Sequence, residues 1–298
     1  MDTRNWKIAE DLYKEPLARE MTLQIPTPHF REAGAGPSVV CLHSSASSSG
    51  QWRALMERLA PRFRVLAVDL YGSGRTAPWP GDRPMSLDDQ VALLGPVFQA
   101  AGDRFHLIGH SFGGAIALKA ALSNRGRLIS LVLYEPVLFN VLMADAPGSA
   151  AAREILAVRD DTIRLVDQSD LDAAAERFID YWTGEGTWAA TPENRRQAIA
   201  AAMRAVKPEE HALFSEPTPL QAFATIDVPT LFLTGTSSKA STRAIARLLT
   251  AVLPRVRVEE IDGVGHMAPV THPERVNPLI ERFLAAAQSG AAAGALRR

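Results

Sequence analysis

Nearly continuous apolar runs constrain this fold more than any other feature. Val39-Val40-Cys41-Leu42-His43, Leu131-Val132-Leu133-Tyr134 and Thr230-Leu231-Phe232-Leu233-Thr234-Gly235 carry apolar side chains at odd and even positions alike. Neighbouring side chains on a strand point to opposite faces, so such strands must be covered on both sides. Strands are expected at 21–25, 29–33, 38–43, 65–69, 105–109, 128–134, 230–235 and 256–261. Helical periodicity falls between them, at 51–60, 87–101, 113–123, 242–253 and 273–287. In the last of these, Val276, Leu279, Ile280, Phe283 and Leu284 share one helix face. Alternating strands and helices imply an α/β fold: a mostly parallel sheet flanked by helices, with right-handed crossovers.

The alternation stops between Pro136 and Ala224. That Ala-rich stretch shows helical patterns at 151–158, 170–182 and 192–206, with an aromatic cluster of Phe178, Tyr181, Trp182 and Trp188. It is too long for a plain loop and reads as a helical insertion in one sheet connection. Residues 1–20 read as a polar lead-in with some helical character. The Ala/Gly-rich stretch 285–298 is expected to finish a helix and end as a disordered tail.

Composition narrows the function classes. A formal net charge of −1, with Lys and Arg scattered, argues against nucleic acid as a partner. One cysteine excludes an internal disulfide framework and a Cys-based metal cage. No apolar run approaches the roughly 18 to 20 residues that span a bilayer. The charged N-terminus lacks a signal-peptide core. A soluble cytoplasmic protein without membrane contact is the expectation. The sequence does not indicate an oligomeric state.

The chemistry begins at Gly109-His110-Ser111-Phe112-Gly113, which follows the strand pattern FHLIG and precedes the helical run AIALKAAL. This is G-x-S-x-G in a strand–turn–helix setting. A turn this tight strains its central residue, demands small neighbours two positions away, and lifts Ser111 above the sheet edge. The first amides of the next helix then favour negative charge beside it. The plainer alternative is an N-capping serine on a Gly-rich turn.

At these residues the chain resembles the α/β-hydrolase fold family, over about 21–287. Val39-Val40-Cys41-Leu42-His43 resembles the strand and histidine that open the family's oxyanion loop. Asp69-Leu70-Tyr71-Gly72-Ser73-Gly74-Arg75 resembles its Asp-x-x-Gly-x-Gly-x turn, and Gly263-Val264-Gly265-His266 its Gly-x-Gly-His loop. The resemblance implies a core of 1–135 and 224–287, a helical cap at 136–223, and a tail at 288–298.

Ser111 needs a base, because a free hydroxyl is a poor nucleophile at neutral pH. Of the seven histidines, His266 follows a strand and a Gly-rich turn at the sheet edge where ligands bind, and it lies C-terminal to the serine. His110, inside the elbow, supports the turn or borders the substrate. The family usually places the triad acid after the seventh strand, yet no Asp or Glu occurs between Asp227 and Glu259. Glu135, ending the strand pattern LVLYE on the same edge, is the best replacement. The resemblance supports this position, which certain haloalkane dehalogenases use. Asp262 is the alternative, and a third option is a Ser–His dyad oriented by Ser238 or water.

By the same resemblance, the backbone N–H groups of Phe112 and Ser45 are the oxyanion donors. Ser44 stands where the family usually has Gly, and its hydroxyl can add a donor. The run from Ser44 to Gly50 also fits a flexible polar loop capping the next helix. Trp52 either lines the mouth of the site or packs the helix. Phe178 and Trp182, with Phe139 and Met143, suggest an apolar pocket or packing within the insertion.

The expectation is therefore a serine hydrolase that cleaves a small-to-medium apolar ester through an acyl-enzyme on Ser111. Carbon–carbon hydrolysis of a diketone with the same residues is one alternative. A catalytically degenerate, ligand-binding member is another, motivated by the missing usual acid. The dehalogenase and epoxide-hydrolase branches carry Asp where this chain has Ser111. No metal, nucleotide or flavin motif occurs, so no cofactor is expected.

Overall fold

The computed structural model describes residues 25–295. Four strands come first in the sheet: β1 (Phe30–Ala33), β2 (Ser38–Leu42), β3 (Arg64–Val68) and β4 (Phe105–His110). They are followed by β5 (Leu128–Tyr134), β6 (Thr230–Gly235) and β7 (Val256–Ile261). The order across the sheet is β1-β3-β2-β4-β5-β6-β7. β1 pairs antiparallel with β3, and every other pairing is parallel. The lead-in at 1–20 and all of the expected 21–25 strand except Ile25 lie outside the described residues; Ile25 is not in a strand.

The helices between strands cover both faces, as the continuous apolar runs require. After β2 come a 3-10 turn (Ser49–Trp52) and α1 (Arg53–Leu59). After β3 come α2 (Leu87–Leu93) and α3 (Gly95–Ala101), and after β4 comes α4 (Phe112–Ser123). α10 (Ala240–Val252) follows β6, and α11 (Ala268–Thr271) and α12 (Pro273–Ala295) follow β7. Alternate residues of one strand enter different cores. Val40 and Leu42 join α2, α3 and α4 in one, whereas Val39 and Cys41 join Leu55, Val276 and Ile280 in the other.

Several elements depart from the sequence pattern. The single helix expected at 87–101 breaks at Leu94 because Pro96, lacking an N–H, sits at the start of a new helix. The tail expected at 288–298 is helical as far as Ala295, since alanine, the best helix former, dominates the segment; residues 296–298 are outside the description. Trp52 does not line a site mouth. It is 1% exposed and packs into the core beneath the sheet with Leu55 and Val65.

Between β5 and β6 the chain forms five helices. These are α5 (Phe139–Asp145), α6 (Ala150–Asp167), α7 (Leu171–Thr183), α8 (Thr187–Ala190) and α9 (Glu193–Ser215). α6, α7 and α9 pack on one another, and α9 also meets α4 and α5. Their apolar faces merge with the core on the α4 side of the sheet, so the insertion is anchored by burial rather than hinged on a polar surface.

α4 is buried almost all round and starts against backbone. A Cβ on Gly113 would stand 2.4 Å from the Leu42 carbonyl oxygen and 2.5 Å from that of His43. Gly113 N–H also donates to His43 O at 3.1 Å. Gly113→Ala must therefore push α4 off β2. The expected result is a loss of about 1–3 kcal/mol, measured as a lower urea midpoint at unchanged m-value. An unchanged midpoint would mean that this approach is not tight.

Candidate active site

The site lies at the C-terminal ends of β4, β5 and β6 and in the loop after β7. β4 ends at His110, and the next residue, Ser111, has φ 56° and ψ −117°. A non-glycine residue at positive φ costs of order 1–3 kcal/mol unless its surroundings hold it there. They do: Ser111 N–H donates to Tyr134 O at 3.0 Å, and its own carbonyl accepts from Ala115 N–H at 3.1 Å and Val137 N–H at 3.3 Å. The Ser111 side chain makes no capping bond to α4, so the N-cap alternative fails. Its hydroxyl instead lies 2.8 Å from His266 Nε2.

Glu135 directly follows β5 and is also held at positive φ, 41°. Its carboxylate is fully buried. Oε1 accepts from Thr234 Oγ1 at 2.9 Å, from Gly235 N–H at 2.9 Å and from the Ser238 hydroxyl. Oε2 faces His266 Nδ1 at 2.8 Å. Burial alone would raise its pKa. The hydrogen bond and charge of His266, with the Ser238 and Gly235 donors, outweigh burial and hold it below the usual carboxylate value. An ionised carboxylate can only accept, so Nδ1 carries the proton and Nε2 is left to accept from Ser111.

The other candidates for the acid lie elsewhere. Asp262 is exposed and accepts from the Thr236 hydroxyl at 3.2 Å. Ser238, near where the usual acid was expected, donates to Glu135 rather than orienting His266. The Thr234 hydroxyl near the end of β6 and the Ser238 hydroxyl just after it thus cradle the carboxylate of the residue that follows β5. Thr234 and Ser238 are the signal for that cradle in the sequence.

A second chain of bonds holds His266 from behind. His110 Nε2–H donates to the His266 carbonyl at 2.8 Å, and His110 Nδ1 accepts from Gln51 Nε2 at 3.1 Å. Burial and the nearby His266 keep His110 well below the usual histidine pKa, so it stays neutral and serves both roles. Gln51 Oε1 in turn accepts from Ser44 N–H at 3.1 Å and Ser44 Oγ at 2.9 Å. Gln51, which the sequence reading missed, couples the loop after β2 to the loop carrying His266. The positive φ of that loop falls at Ala46, 53°, and not at Ser44, where the family's glycine would stand. Phe112 N–H opens α4 and therefore has no partner within the helix.

The Trp182 ring lies over His266, with centroids 4.3 Å apart. It separates two hollows. An apolar cavity of about 450 Å³ is lined by Ser45, Ala46, Phe178, Trp182, Ile199 and Met267, among others. A more polar one of about 330 Å³ runs along Trp182, Lys239, Gly265, His266 and His272. Ser111, 5% exposed, borders neither.

Four other residues placed around the substrate by sequence do not line these hollows. Phe139 is buried and stacks on Phe214 at 4.7 Å, because the apolar face of α5 is covered by α9. Met143, on the same helix, packs against that core. The Ser44 hydroxyl is spent on Gln51, and His110 is fully buried behind His266.

Comparison with known proteins adds to this geometry. The model of the alpha/beta hydrolase family matches residues 39–279. A pimeloyl-[acyl-carrier protein] methyl ester esterase of Xanthomonas campestris pv. campestris is 29% identical over 265 residues, covering 87% of this chain and 99% of that protein. A haloalkane dehalogenase of Agrobacterium fabrum is 26% identical over 278 residues, covering 86% of this chain and 88% of its own. Among solved structures, a thermophilic esterase from Thermogutta terrifontis, malate bound, aligns with TM-score 0.68 and 26% identity, over 87% of this chain and 93% of that one.

Proposed function

This chain belongs to the alpha/beta hydrolase family, and within it we propose a serine ester hydrolase that works through an acyl-enzyme on Ser111. The relay Ser111–His266–Glu135, with 2.8 Å at each contact, carries the reading. Ser111 Oγ attacks the ester carbonyl carbon while its proton passes to His266 Nε2. Glu135 stabilises the imidazolium that forms and does not itself take the proton. The carbonyl oxygen, now negative, is received by the backbone N–H groups of Phe112 and Ser45. His266 returns the proton to the departing alcohol as the C–O bond breaks. Water then repeats the sequence in reverse roles, freeing the acid and Ser111.

The helices between β5 and β6 act in this reading as a cap. The apolar cavity beside Ser45, Phe178 and Trp182 suits a small-to-medium hydrocarbon acyl group. The esterase relatives support the ester class. A degenerate ligand-binding member rests on the missing acid after β6, and Glu135 at 2.8 Å from His266 Nδ1 favours the hydrolase reading over it. Among the described residues no helix is long and apolar enough to cross a membrane.

A fluorophosphonate probe, which mimics the tetrahedral acyl intermediate, tests the reading. Labelling is expected at Ser111, located by mass spectrometry of the modified peptide, and is expected to vanish in His266→Ala. A folded protein that takes no label would overturn the proposal. The substrate panel that follows pairs aryl esters with a vinylogous diketone, since carbon–carbon hydrolysis draws on the same three residues.

A further inference from the structure

The two hollows beside Trp182 differ in which group of the site lines them. Ser45, whose N–H is assigned above to the oxyanion, lines the apolar one. His266, the group that returns a proton to the departing alcohol, lines the polar one. Trp182, Thr183, Met267 and Thr271 border both, so the hollows adjoin. An ester with its carbonyl oxygen at Ser45 and its alcohol oxygen at His266 therefore sends its acyl chain into the apolar hollow and its alcohol into the polar one. At about 330 Å³ the polar hollow suits a small alcohol.

The charge of the polar hollow is one-sided. Lys239 lines it, and among the described residues no aspartate, glutamate or arginine does. The Lys239 ammonium stands over the Tyr181 ring, 4.7 Å from its centroid. A neutral ring orients the cation but does not cancel its charge. Glu154, on α6, acts on the Tyr181 hydroxyl and does not line the hollow. Lys119 and Lys207 are each held by a carboxylate, whereas Lys239 has no ion pair among the described residues. Local structure does not account for a lysine here. Lys239 is the N-cap residue of α10, makes no side-chain capping bond, and adds its charge to the positive end of the helix.

Resting on the hydrolase reading above, we propose that the polar hollow receives the alcohol part of the ester, and that Lys239 is a specificity-determining residue for an alcohol bearing an anionic group, a carboxylate or a phosphate. Water then cleaves the ester into an apolar acid and a hydroxy acid or alcohol phosphate. Lysine meets either anion as a point charge, so both are carried into the test.

The test uses butanoate esters of para-hydroxybenzoate, para-hydroxyphenyl phosphate and the neutral para-hydroxybenzamide. The readout is kcat/KM for each anionic ester over that for the neutral one, compared between parent and variant so that leaving-group reactivity cancels. For at least one anion the parent ratio is expected to be about tenfold above that of Lys239→Met, the worth of one contact to a charged group. Lys239→Arg, which keeps the charge, is expected to retain most of it. Raising NaCl from about 0.05 to about 0.5 M should lower the parent ratio and leave that of Lys239→Met nearly fixed. A ratio that is the same in parent and Lys239→Met for both anions would overturn the proposal, including the case in which all esters slow together because the start of α10 has moved. If the protein neither takes the fluorophosphonate nor turns over any ester, it is the hydrolase reading that fails. Lys239 is then judged by thermal shift with the free phenols. A stabilisation specific to the anionic ones and lost in Lys239→Met supports the contact, and equal or absent shifts overturn it.

Discussion

Ser111→Ala is expected to lower ester turnover by about 100,000-fold or more, the scale seen when a nucleophile is removed from a relay that works as a unit. The substitution deletes only the hydroxyl. It keeps the Cβ and the strained φ of 56°, and the backbone bonds to Tyr134, Ala115 and Val137 that enforce this φ are untouched. The melting temperature should therefore change little, which separates lost chemistry from lost fold. Ser111→Gly offers the complementary result: glycine tolerates positive φ, so this variant should be as inactive yet more stable than Ser111→Ala. Activity within about a hundredfold of the parent in either variant would mean the ester is cleaved elsewhere.

Glu135→Gln should cost about 10,000-fold in kcat, the order expected when the orienting acid becomes an amide. The side-chain oxygen can still accept from Thr234, Gly235 and Ser238, which fixes the NH₂ toward His266. The imidazole must then accept at Nδ1 and carry its proton on Nε2, where it can no longer accept from Ser111. Asp262→Asn, changed at an exposed residue bonded to Thr236, should leave kcat within about twofold, as surface changes commonly do. Reversal of these two effects would move the acid to Asp262. The same substitution has a signature in stability. The Glu135 pKa is lowered on folding, so its ionised form stabilises the protein above the unfolded value and loses that contribution as the pH falls through the folded one. Glu135→Gln should flatten the acid side of the stability curve, read from urea midpoints across pH.

Much of this was legible in the sequence, for identifiable reasons. Continuous runs such as Val39–Leu42 mark two-sided burial whatever covers them, and Ser111 sits in a turn whose geometry is local. Glu135 could be picked because a strand end fixes its place on the sheet edge, independent of distant partners. The rest depends on contacts that periodicity does not encode. Phe139 and Phe178 both read as apolar face residues; only the packing of α9 decides that one is covered by Phe214 and the other opens to a cavity. Gln51 is an unremarkable amide in the sequence, and its role exists only once His110 and Ser44 approach from two other segments. The break at Leu94 was visible as Gly95-Pro96 but was masked by the apolar periodicity on either side.

The bonds from Ser44 through Gln51 and His110 to the His266 carbonyl tie together segments separated by more than half the chain. None of these loops can open without stranding a buried donor or acceptor on another. Opening should therefore be shared: amide protons of the loop after β2 and of the loop carrying His266 would exchange with deuterium at a common rate. In Gln51→Leu those rates should part company, leaving two loops that breathe independently.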